Sequence, residues 1–223
     1  MLNLYNYNNL VFWTEDQCRL RRIFEDYFCT KLFDVLKDAN PAFQFFQIEA
    51  PLLTPRELIN PNYTDEDVFA LNDLTLRPET TMGSYLYAQH LLNPHNTRKV
   101  RLPFVVWQHG KSFRQEQDQP TKFMRLKEFY QLEFQILFAE NTKNDYAALV
   151  IPAVHDMISA MIGPCRVEPS DRLPQYATST KDVICEKTNM EVCSISVRND
   201  FPHGRNVEVA IGTDRCVYNF ERK

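Results

Sequence analysis

Residues 128–138, near the middle of the chain, alternate in polarity and carry side chains that suit a ligand. Strand geometry places Phe129 and Glu133 on one face with two glutamines, because successive side chains of a β-strand point to opposite sides. The other face is almost wholly apolar. An aromatic ring beside carboxylate and amide groups suits a flat heterocycle and a cationic ligand group. A half-buried strand whose polar face lies in water is the alternative, and it stays open.

A second segment, SFRQE at 112–116, supplies a cation and a carboxylate. Arg114 and Glu116 fall on one face of a predicted strand, two residues apart. A guanidinium binds phosphate through paired hydrogen bonds, and a carboxylate can hold that guanidinium or accept from an amine. An ordinary cross-strand ion pair is the alternative. Because only a polar loop separates this segment from residues 128–138, the two strands are predicted to form a long hairpin.

Further elements must position this hairpin. Thr14 and Gln17 form a capping-box pattern that predicts a helix from about residue 15 to 38. The other predicted elements are strands at 43–49, 74–77 and 104–108, helices from after Pro78 to 92 and at about 143–162, and several short strands from 166 onward. His109 is predicted to lie in a turn. Runs of adjacent strands between helices predict one α+β domain over residues 1–223, a mostly antiparallel sheet flanked by helices.

Composition excludes several kinds of protein. With 44% hydrophobic residues and only five glycines, the chain is neither disordered nor collagen-like. The six cysteines form no C-x-x-C pair, which favours reduced thiols over a zinc ribbon or a disulfide scaffold. Neither a G-x-x-x-x-G-K-[ST] nor a G-x-G-x-x-G loop occurs, so any nucleotide binds without those phosphate cradles.

Charge and hydropathy indicate where the protein acts. The net charge of −4 excludes a general nucleic-acid coat, so such a contact requires a local basic patch. No apolar run approaches the roughly 18 residues that span a bilayer, so no membrane partner is expected. The first ten residues lack the basic segment and long apolar core of a signal peptide, which predicts a cytoplasmic location.

Several short motifs, in order along the chain, resemble the catalytic core of class II aminoacyl-tRNA synthetases, most closely the glycyl type of archaea and eukaryotes. LRPETTMG (76–83) resembles L-R-P-E-T-A-Q-G, SFRQE (112–116) resembles S-F-R-N-E, and MRLKEFYQLE (124–133) resembles I-R-V-R-E-F-T-M-A-E. QIEAPLLTP (47–55) is similar to the first class II motif, and VEVAIGTDRCVYNF (207–220) is similar to the glycyl-type I-E-I-x-G-I-A-D-R-T-D-Y-D-L. YATSTKDV (176–183) is a weaker match to H-Y-A-x-D-x-W-D.

The resemblance implies a site for ATP and Mg2+. By that resemblance Arg114 holds the α-phosphate and Phe129 stacks on adenine. Glu116 would contact the adenine or the activated amino acid. Glu208 would lie near the metal-bound phosphates or the amino group, which makes it the implied metal contact.

The same resemblance implies a pocket for a small amino acid, with glycine favoured. Arg77, Glu79 and Glu133 would shape this pocket. The first class II motif, which ends at a proline, sits at a dimer interface in the family, so the resemblance also implies a homodimer.

Departures from the family pattern leave three functions open. The resemblance stops before the family's third motif, reaches no anticodon-binding domain, and has Lys122 where the loop of the second motif carries glycine. The chain is therefore an adenylate-forming enzyme, an inert synthetase-like module such as an accessory subunit of a nucleic-acid enzyme, or a fragment completed by a partner chain. Binding of tRNA or other nucleic acid is expected to be weak, or to need that partner.

Overall fold

The computed structural model describes residues 10–93, 95–97, 100–115, 126–139, 142–171, 177–198 and 201. The helices are α1 (Glu15–Ala39), α2 (Thr81–Leu92) and α3 (Tyr146–Ile162), with a short 3-10 helix at Arg56–Leu58. The strands are β1 (Gln44–Gln47), β2 (Leu53–Pro55), β3 (Ala70–Leu71), β4 (Leu74–Leu76), β5 (Phe104–Phe113), β6 (Glu128–Leu137), β7 (Cys165–Pro169), β8 (Ala177–Cys185) and β9 (Met190–Arg198).

Helix α1 begins at the predicted capping box. The Thr14 backbone N–H donates to Gln17 Oε1 over 2.9 Å, and the Gln17 N–H donates to Thr14 Oγ1 over 3.4 Å. These two bonds satisfy amide groups that the first helical turn leaves without partners. Towards its C-terminal end the helix buries Leu32 and Leu36. The capping box and the approximate extent of this helix are therefore confirmed.

The central sheet has the strand order β1-β5-β6. Strands β5 and β6 form the predicted antiparallel hairpin, in a register that runs from Phe104 opposite Leu137 to Phe113 opposite Glu128. Strand β1 lies parallel to β5. A parallel neighbour requires a crossover of a dozen or more residues, and here residues 48–103, including α2, supply it.

The remaining strands form two antiparallel sheets, with orders β2-β4-β3 and β7-β8-β9. With the antiparallel hairpin they give the α+β, mostly antiparallel architecture that the sequence predicts. The hairpin prediction needs one correction, because β5 continues through His109, which was predicted to lie in a turn, and ends at Phe113. Arg114 therefore lies just beyond the strand rather than on it.

The two faces of the central sheet pack against different elements. On one face, which we call the α2 face, Phe104 and Val106 join buried residues of α2 such as Ala88 and Leu91. On the other, the α1 face, Val105 joins a larger core. The main buried members of that core are Leu32 and Leu36 of α1, Val150, Val154 and Met157 of α3, and Val183 of β8. The α1 face therefore carries most of the packing, and the α2 face is left with more polar groups.

The described part of the chain contains no helix long and apolar enough to cross a membrane. Its five cysteines are free thiols. The sixth, Cys216, lies outside the described residues.

Candidate functional site

Arg114 lies at the loop end of the hairpin, directly after β5 and next to Phe129 on the α2 face. Its backbone N–H donates to Lys127 O over 3.0 Å, and its side-chain Nε donates to Pro78 O, also over 3.0 Å. The centre of the guanidinium is 5.1 Å from the ring centroid of Phe129 and 5.3 Å from that of Tyr63. Cation–π contacts at this range are attractive. Two rings and a carbonyl therefore fix the orientation of this cation.

Tyr63 reaches this site because residues 63–68 are anchored to the end of the hairpin. The backbone N–H and the hydroxyl of Thr64 both donate to Asp67 Oδ2, each over 2.8 Å. The Gln115 backbone N–H donates to Asp67 O over 2.9 Å, and its side-chain amide donates to Val68 O. This turn also explains why β5 does not continue through Gln115, since Gln115 bonds to the turn rather than to β6.

Glu133 lies further along the same face, beside the first turn of α2. Its Oε2 accepts from the Thr80 hydroxyl over 2.8 Å, and its Oε1 accepts from the Thr81 hydroxyl over 2.7 Å. The side-chain amide of Gln135 also donates to Oε1. Burial, followed by the nearby charge of Glu79, raises the pKa of Glu133 above its ordinary value, and these three hydrogen bonds oppose the rise.

Gln108 and Arg77 hold the segment before α2 against β5. The fully buried Gln108 amide donates to Thr80 O and to Ser84 Oγ, each over 2.9 Å. Arg77 is only 4% exposed, and its guanidinium donates to Ala50 O and Lys111 O, each over 2.8 Å. Burial lowers the pKa of Arg77, and the charges of Glu133 and Glu49 raise it. This network fixes the start of α2 against β5 and Glu133.

Two glycines permit this close packing. A side chain at Gly83 of α2 would collide with Ala50, and one at Gly110 of β5 would collide with the guanidinium of Arg77. Close approach of backbones is therefore what these positions require, and it brings the first turn of α2 near β6.

The structure brings some of the predicted site residues together and leaves others apart. Arg114 and Phe129 lie together at the end of the hairpin, and Glu79 and Glu133 interact electrostatically beside α2. Arg77 lies nearby but directs its N–H groups to the backbone carbonyls of Ala50 and Lys111 and to Gln108 Oε1. Its predicted role in the amino-acid pocket, like the binding roles of the others, stays a prediction. The predicted contacts Glu116 and Glu208 lie outside the described residues.

Sequence reasoning missed several residues of this site: Tyr63, Thr80, Thr81 and Gln108. Two signals were available. Thr81 stands where the glycyl motif quoted above has alanine, which places a second hydroxyl at the start of a helix. Gln108 interrupts an apolar strand, and a buried amide must have hydrogen-bond partners.

The described residues contain no group of three or more His, Cys, Asp or Glu side chains that could hold a metal ion. Glu79 and Glu133 are two carboxylates without a third ligand in that part of the chain. In nucleotide sites one or two carboxylates hold Mg2+ together with phosphate oxygens and waters, and the implied contact Glu208 lies outside the described residues.

Comparison with protein families identifies this arrangement. The tRNA synthetase class II core domain (G, H, P, S and T) matches residues 63–205, more than half of the chain. The chain belongs to this family. The match begins at Tyr63, which contacts Arg114, and includes the whole hairpin together with α2 and α3.

Similar proteins with curated names are glycine–tRNA ligases. The enzyme of Mycoplasma capricolum subsp. capricolum is 30% identical over 137 residues, which cover 56% of this chain and 29% of the relative. That of Mycoplasmopsis synoviae is 31% identical over 113 residues, which cover 48% of this chain and 24% of the relative. The chain thus spans about a quarter of the length of these relatives.

Solved structures show the same fold. A cytoplasmic serine-tRNA ligase from Naegleria fowleri, in complex with AMP, matches with a TM-score of 0.61 at 16% identity, covering 84% of this chain and 47% of that structure. A pyrrolysyl tRNA synthetase from Desulfitobacterium hafniense matches with a TM-score of 0.52 at 20% identity, covering 74% and 55%. The class II synthetase core fold is therefore confirmed.

Proposed function

We propose that this chain forms an aminoacyl-adenylate from ATP and a small amino acid, with glycine preferred. One observation carries the proposal. On the α2 face, Arg114 and Phe129 lie together at the end of the hairpin, and Glu133 follows about 13 Å further along the same strand. That spacing suits an adenosine phosphate joined to an amino acid. The family match and the glycine–tRNA ligase relatives support this reaction.

In the proposed complex the adenine stacks on Phe129 and the α-phosphate binds Arg114. A carboxylate oxygen of the amino acid attacks the α-phosphorus and forms a new P–O bond. The bond between the α-phosphorus and the oxygen that bridges to the β-phosphate breaks, and pyrophosphate leaves with that electron pair. No proton moves in this step, since the attacking group is already a carboxylate.

Arg114 acts on the charge that develops during this attack. The charge on the α-phosphate oxygens grows in the transition state, so a fixed guanidinium stabilises the transition state more than it stabilises bound ATP. The bond to Pro78 O and the rings of Phe129 and Tyr63 orient this guanidinium before ATP binds. Glu116 and Glu208 stay predicted contacts of ATP, and Mg2+ would assist by neutralising phosphate charge.

Glu133 receives the ammonium group of the amino acid. A carboxylate accepts from an ammonium through charge-assisted hydrogen bonds, which are stronger than bonds between neutral groups. Thr80 and Thr81 are 0% and 2% exposed and lie against this carboxylate. Glu79 is close enough to affect its pKa. This crowding favours glycine, or at most alanine or serine, over branched amino acids.

The proposal extends to partners. We propose a single synthetase-like domain that assembles as a homodimer in the cytoplasm. The net charge of −4 predicts that tRNA binds this chain weakly and in a salt-sensitive manner, because backbone affinity scales with the number of phosphates neutralised. A partner chain would be required for tight binding.

Exchange of labelled pyrophosphate into ATP, measured with each of the twenty amino acids, tests the reaction. Glycine is expected to support exchange, and Glu133→Gln is expected to lower the exchange rate at least about tenfold through loss of the charge-assisted bond. Glu128→Gln is the matched control, because Glu128 lies on the same strand and pairs with Lys111. It is expected to retain the wild-type rate.

Other outcomes would contradict parts of the proposal. ATP binding without exchange would make the chain an inert synthetase-like module, and exchange restored by a second protein would make it a fragment of a larger enzyme. Equal exchange by wild type and Glu133→Gln would leave the carboxylate with no role in recognition.

A further inference from the structure

The Glu133 carboxylate has a specific set of donors. Within the described residues, Oε1 accepts from Thr81 and Gln135, and Oε2 accepts from Thr80. A carboxylate offers roughly two acceptor positions on each oxygen. The described donors therefore occupy both positions on Oε1 and one on Oε2, so one position on Oε2 is left without a described donor.

Neither threonine uses its hydroxyl to cap the start of α2, although threonines at a helix start commonly do so. Thr80 is the N-cap of α2, where a threonine commonly accepts from a backbone N–H of the first turn, yet its side chain makes no capping bond here. Its hydroxyl instead donates to Glu133 across 53 residues of sequence. Thr81, in the first turn, donates to the other oxygen of the same carboxylate. The first turn of α2 thus supports Glu133 rather than its own backbone.

The charged groups near Glu133 make this support necessary. Burial and Glu79 both favour the protonated acid, while the hydroxyl and amide donors favour the carboxylate. Arg77, the nearby cation, interacts with the charge of Glu133 but directs its N–H groups to the carbonyls of Ala50 and Lys111 and to Gln108 Oε1. Without hydroxyl donors, a proton would therefore compete more strongly with a cationic ligand for this carboxylate.

We propose that Thr80 and Thr81 are positioning residues that hold Glu133 as an oriented carboxylate, with the remaining acceptor position of Oε2 directed to the ammonium group of the ligand. This inference rests on the proposed function for the identity of the ligand, but not for the state of the carboxylate. Thr81 stands where the glycyl motif has alanine. Under this inference its hydroxyl lowers the pH below which ligand binding is lost.

The substitutions Thr81→Val and Thr81→Ser separate this role from packing. Valine keeps the shape of threonine without the hydroxyl, and serine keeps the hydroxyl with less volume. Thr81→Ala is a second hydroxyl-free variant, in case valine prevents folding. Thr180→Val is the matched control, since Thr180 is a buried threonine whose hydroxyl contacts Ser196 between β8 and β9, away from Glu133.

Two measurements on the full chain decide the outcome. The first is the titration midpoint of the Glu133 carboxyl carbon in ligand-free protein, followed by NMR with labelled glutamate and assigned through Glu133→Gln. Thr81→Val is expected to raise this midpoint by about one pH unit, the effect of losing one hydrogen bond to a charged group. Thr81→Ser and Thr180→Val are expected to keep the wild-type midpoint.

The second measurement is calorimetric binding of a non-hydrolysable glycyl-adenylate analogue across the same pH range. Thr81→Val is expected to weaken binding about tenfold near neutral pH and to shift the pH at which binding is lost. An unchanged midpoint in both hydroxyl-free variants would overturn the positioning role, as would weaker binding without a pH shift. A shifted midpoint in a protein that does not bind the analogue would support the positioning role and contradict the proposed function.

Discussion

The carboxylates of Glu133 and Glu25 lie on opposite faces of the β5–β6 hairpin, and different groups surround them. Glu133, on the α2 face, accepts from two hydroxyls and one amide, all neutral. Glu25 extends from α1 to the other face, where its Oε1 lies 2.8 Å from His109 Nε2 and 3.8 Å from Arg21 Nε. Burial raises the pKa of both carboxyl groups, but Arg21 opposes the rise only at Glu25.

Aromatic rings complete the surroundings of Glu25. The guanidinium of Arg21 lies 3.7 Å from the ring centroid of Tyr130, and the His109 ring stacks on that ring at 5.0 Å. Trp13 contacts the edge of Tyr130 at 5.3 Å. The cation, the carboxylate and the rings on the α1 face therefore contact one another, although Arg21 Nε, Glu25 Oε1 and His109 Nε2 are buried without a well-aligned hydrogen bond among the described residues.

The difference shows what makes a half-buried carboxylate available to a ligand. The direct hydrogen-bond donors of Glu133 are neutral, and the nearby cation Arg77 gives its N–H groups to other acceptors, so a ligand cation can still bind this carboxylate directly. Glu25 already has Arg21. We therefore expect substitutions on the α2 face to change binding and catalysis, and substitutions on the α1 face to change stability.

The largest expected effect follows from two arginines that lie over the rings of adjacent residues on opposite faces. Arg114→Ala, next to Phe129, is expected to lower the rate of pyrophosphate exchange about 100- to 1,000-fold, the cost of losing one preorganised donor to a transition-state charge. Arg21→Ala, next to Tyr130, is expected to change that rate by no more than about threefold, although it lowers stability by roughly 1 kcal/mol. Similar losses of exchange in both variants would show that the faces do not differ in function.

The next effect contrasts two phenylalanines of β6. Phe134, on the α1 face, stacks on Trp107 at 5.9 Å and meets the edge of Phe33 at 6.1 Å. Since it is half-buried, Phe134→Ala is expected to lower the free energy of unfolding by about 2–3 kcal/mol, below the range for fully buried phenylalanines. Phe129→Ala is expected to cost less than about 1 kcal/mol and to weaken ATP binding instead. Urea denaturation and ATP titration of both variants measure the contrast, and a larger stability loss at Phe129 would reverse it.

Local patterns in the sequence predicted the elements that local physics determines. The capping box at Thr14 and the strand β6 depend on residues within one helix turn or one strand, and both are confirmed. The placement of Phe129 beside Arg114 also follows from strand period and hairpin pairing. The motifs that resemble class II synthetases then identified the fold, which the helix and strand periods alone could not.

Long-range partners were not predictable in this way. The bonds from Thr80 and Thr81 to Glu133 join residues more than 50 positions apart. The sequence predicts a turn at His109, but the glycine that follows it, Gly110, makes room for Arg77 within a continuous strand. A glycine signals close approach as well as a turn, and the sequence alone does not distinguish the two.

The smallest expected effect is the pH dependence that the α1 face gives to stability. Burial, and then the charge of Arg21, lower the pKa of His109 to about 4, whereas an unfolded histidine titrates near 6.5. Between these values the unfolded chain binds the proton and the folded protein does not, so acidification from about pH 6.5 towards 4 destabilises the fold. The raised pKa of Glu25 acts in the opposite direction, so we expect a net loss of about 1–2 kcal/mol.

Urea denaturation at about pH 7, 6 and 5 measures this loss. His109→Gln keeps an amide nitrogen near Glu25 but cannot titrate, so its stability is expected to fall less on acidification than that of the wild type. His155→Gln is the matched control, because the contacts of His155 with Asp156 and Cys165 O raise its pKa, and its removal should steepen the loss rather than reduce it. Equal slopes for wild type and His109→Gln would mean that His109 titrates alike in the folded and unfolded chain. The α1 face would then not shield His109 from protons. The proposed contrast between a closed α1 face and a ligand-accessible α2 face would be contradicted.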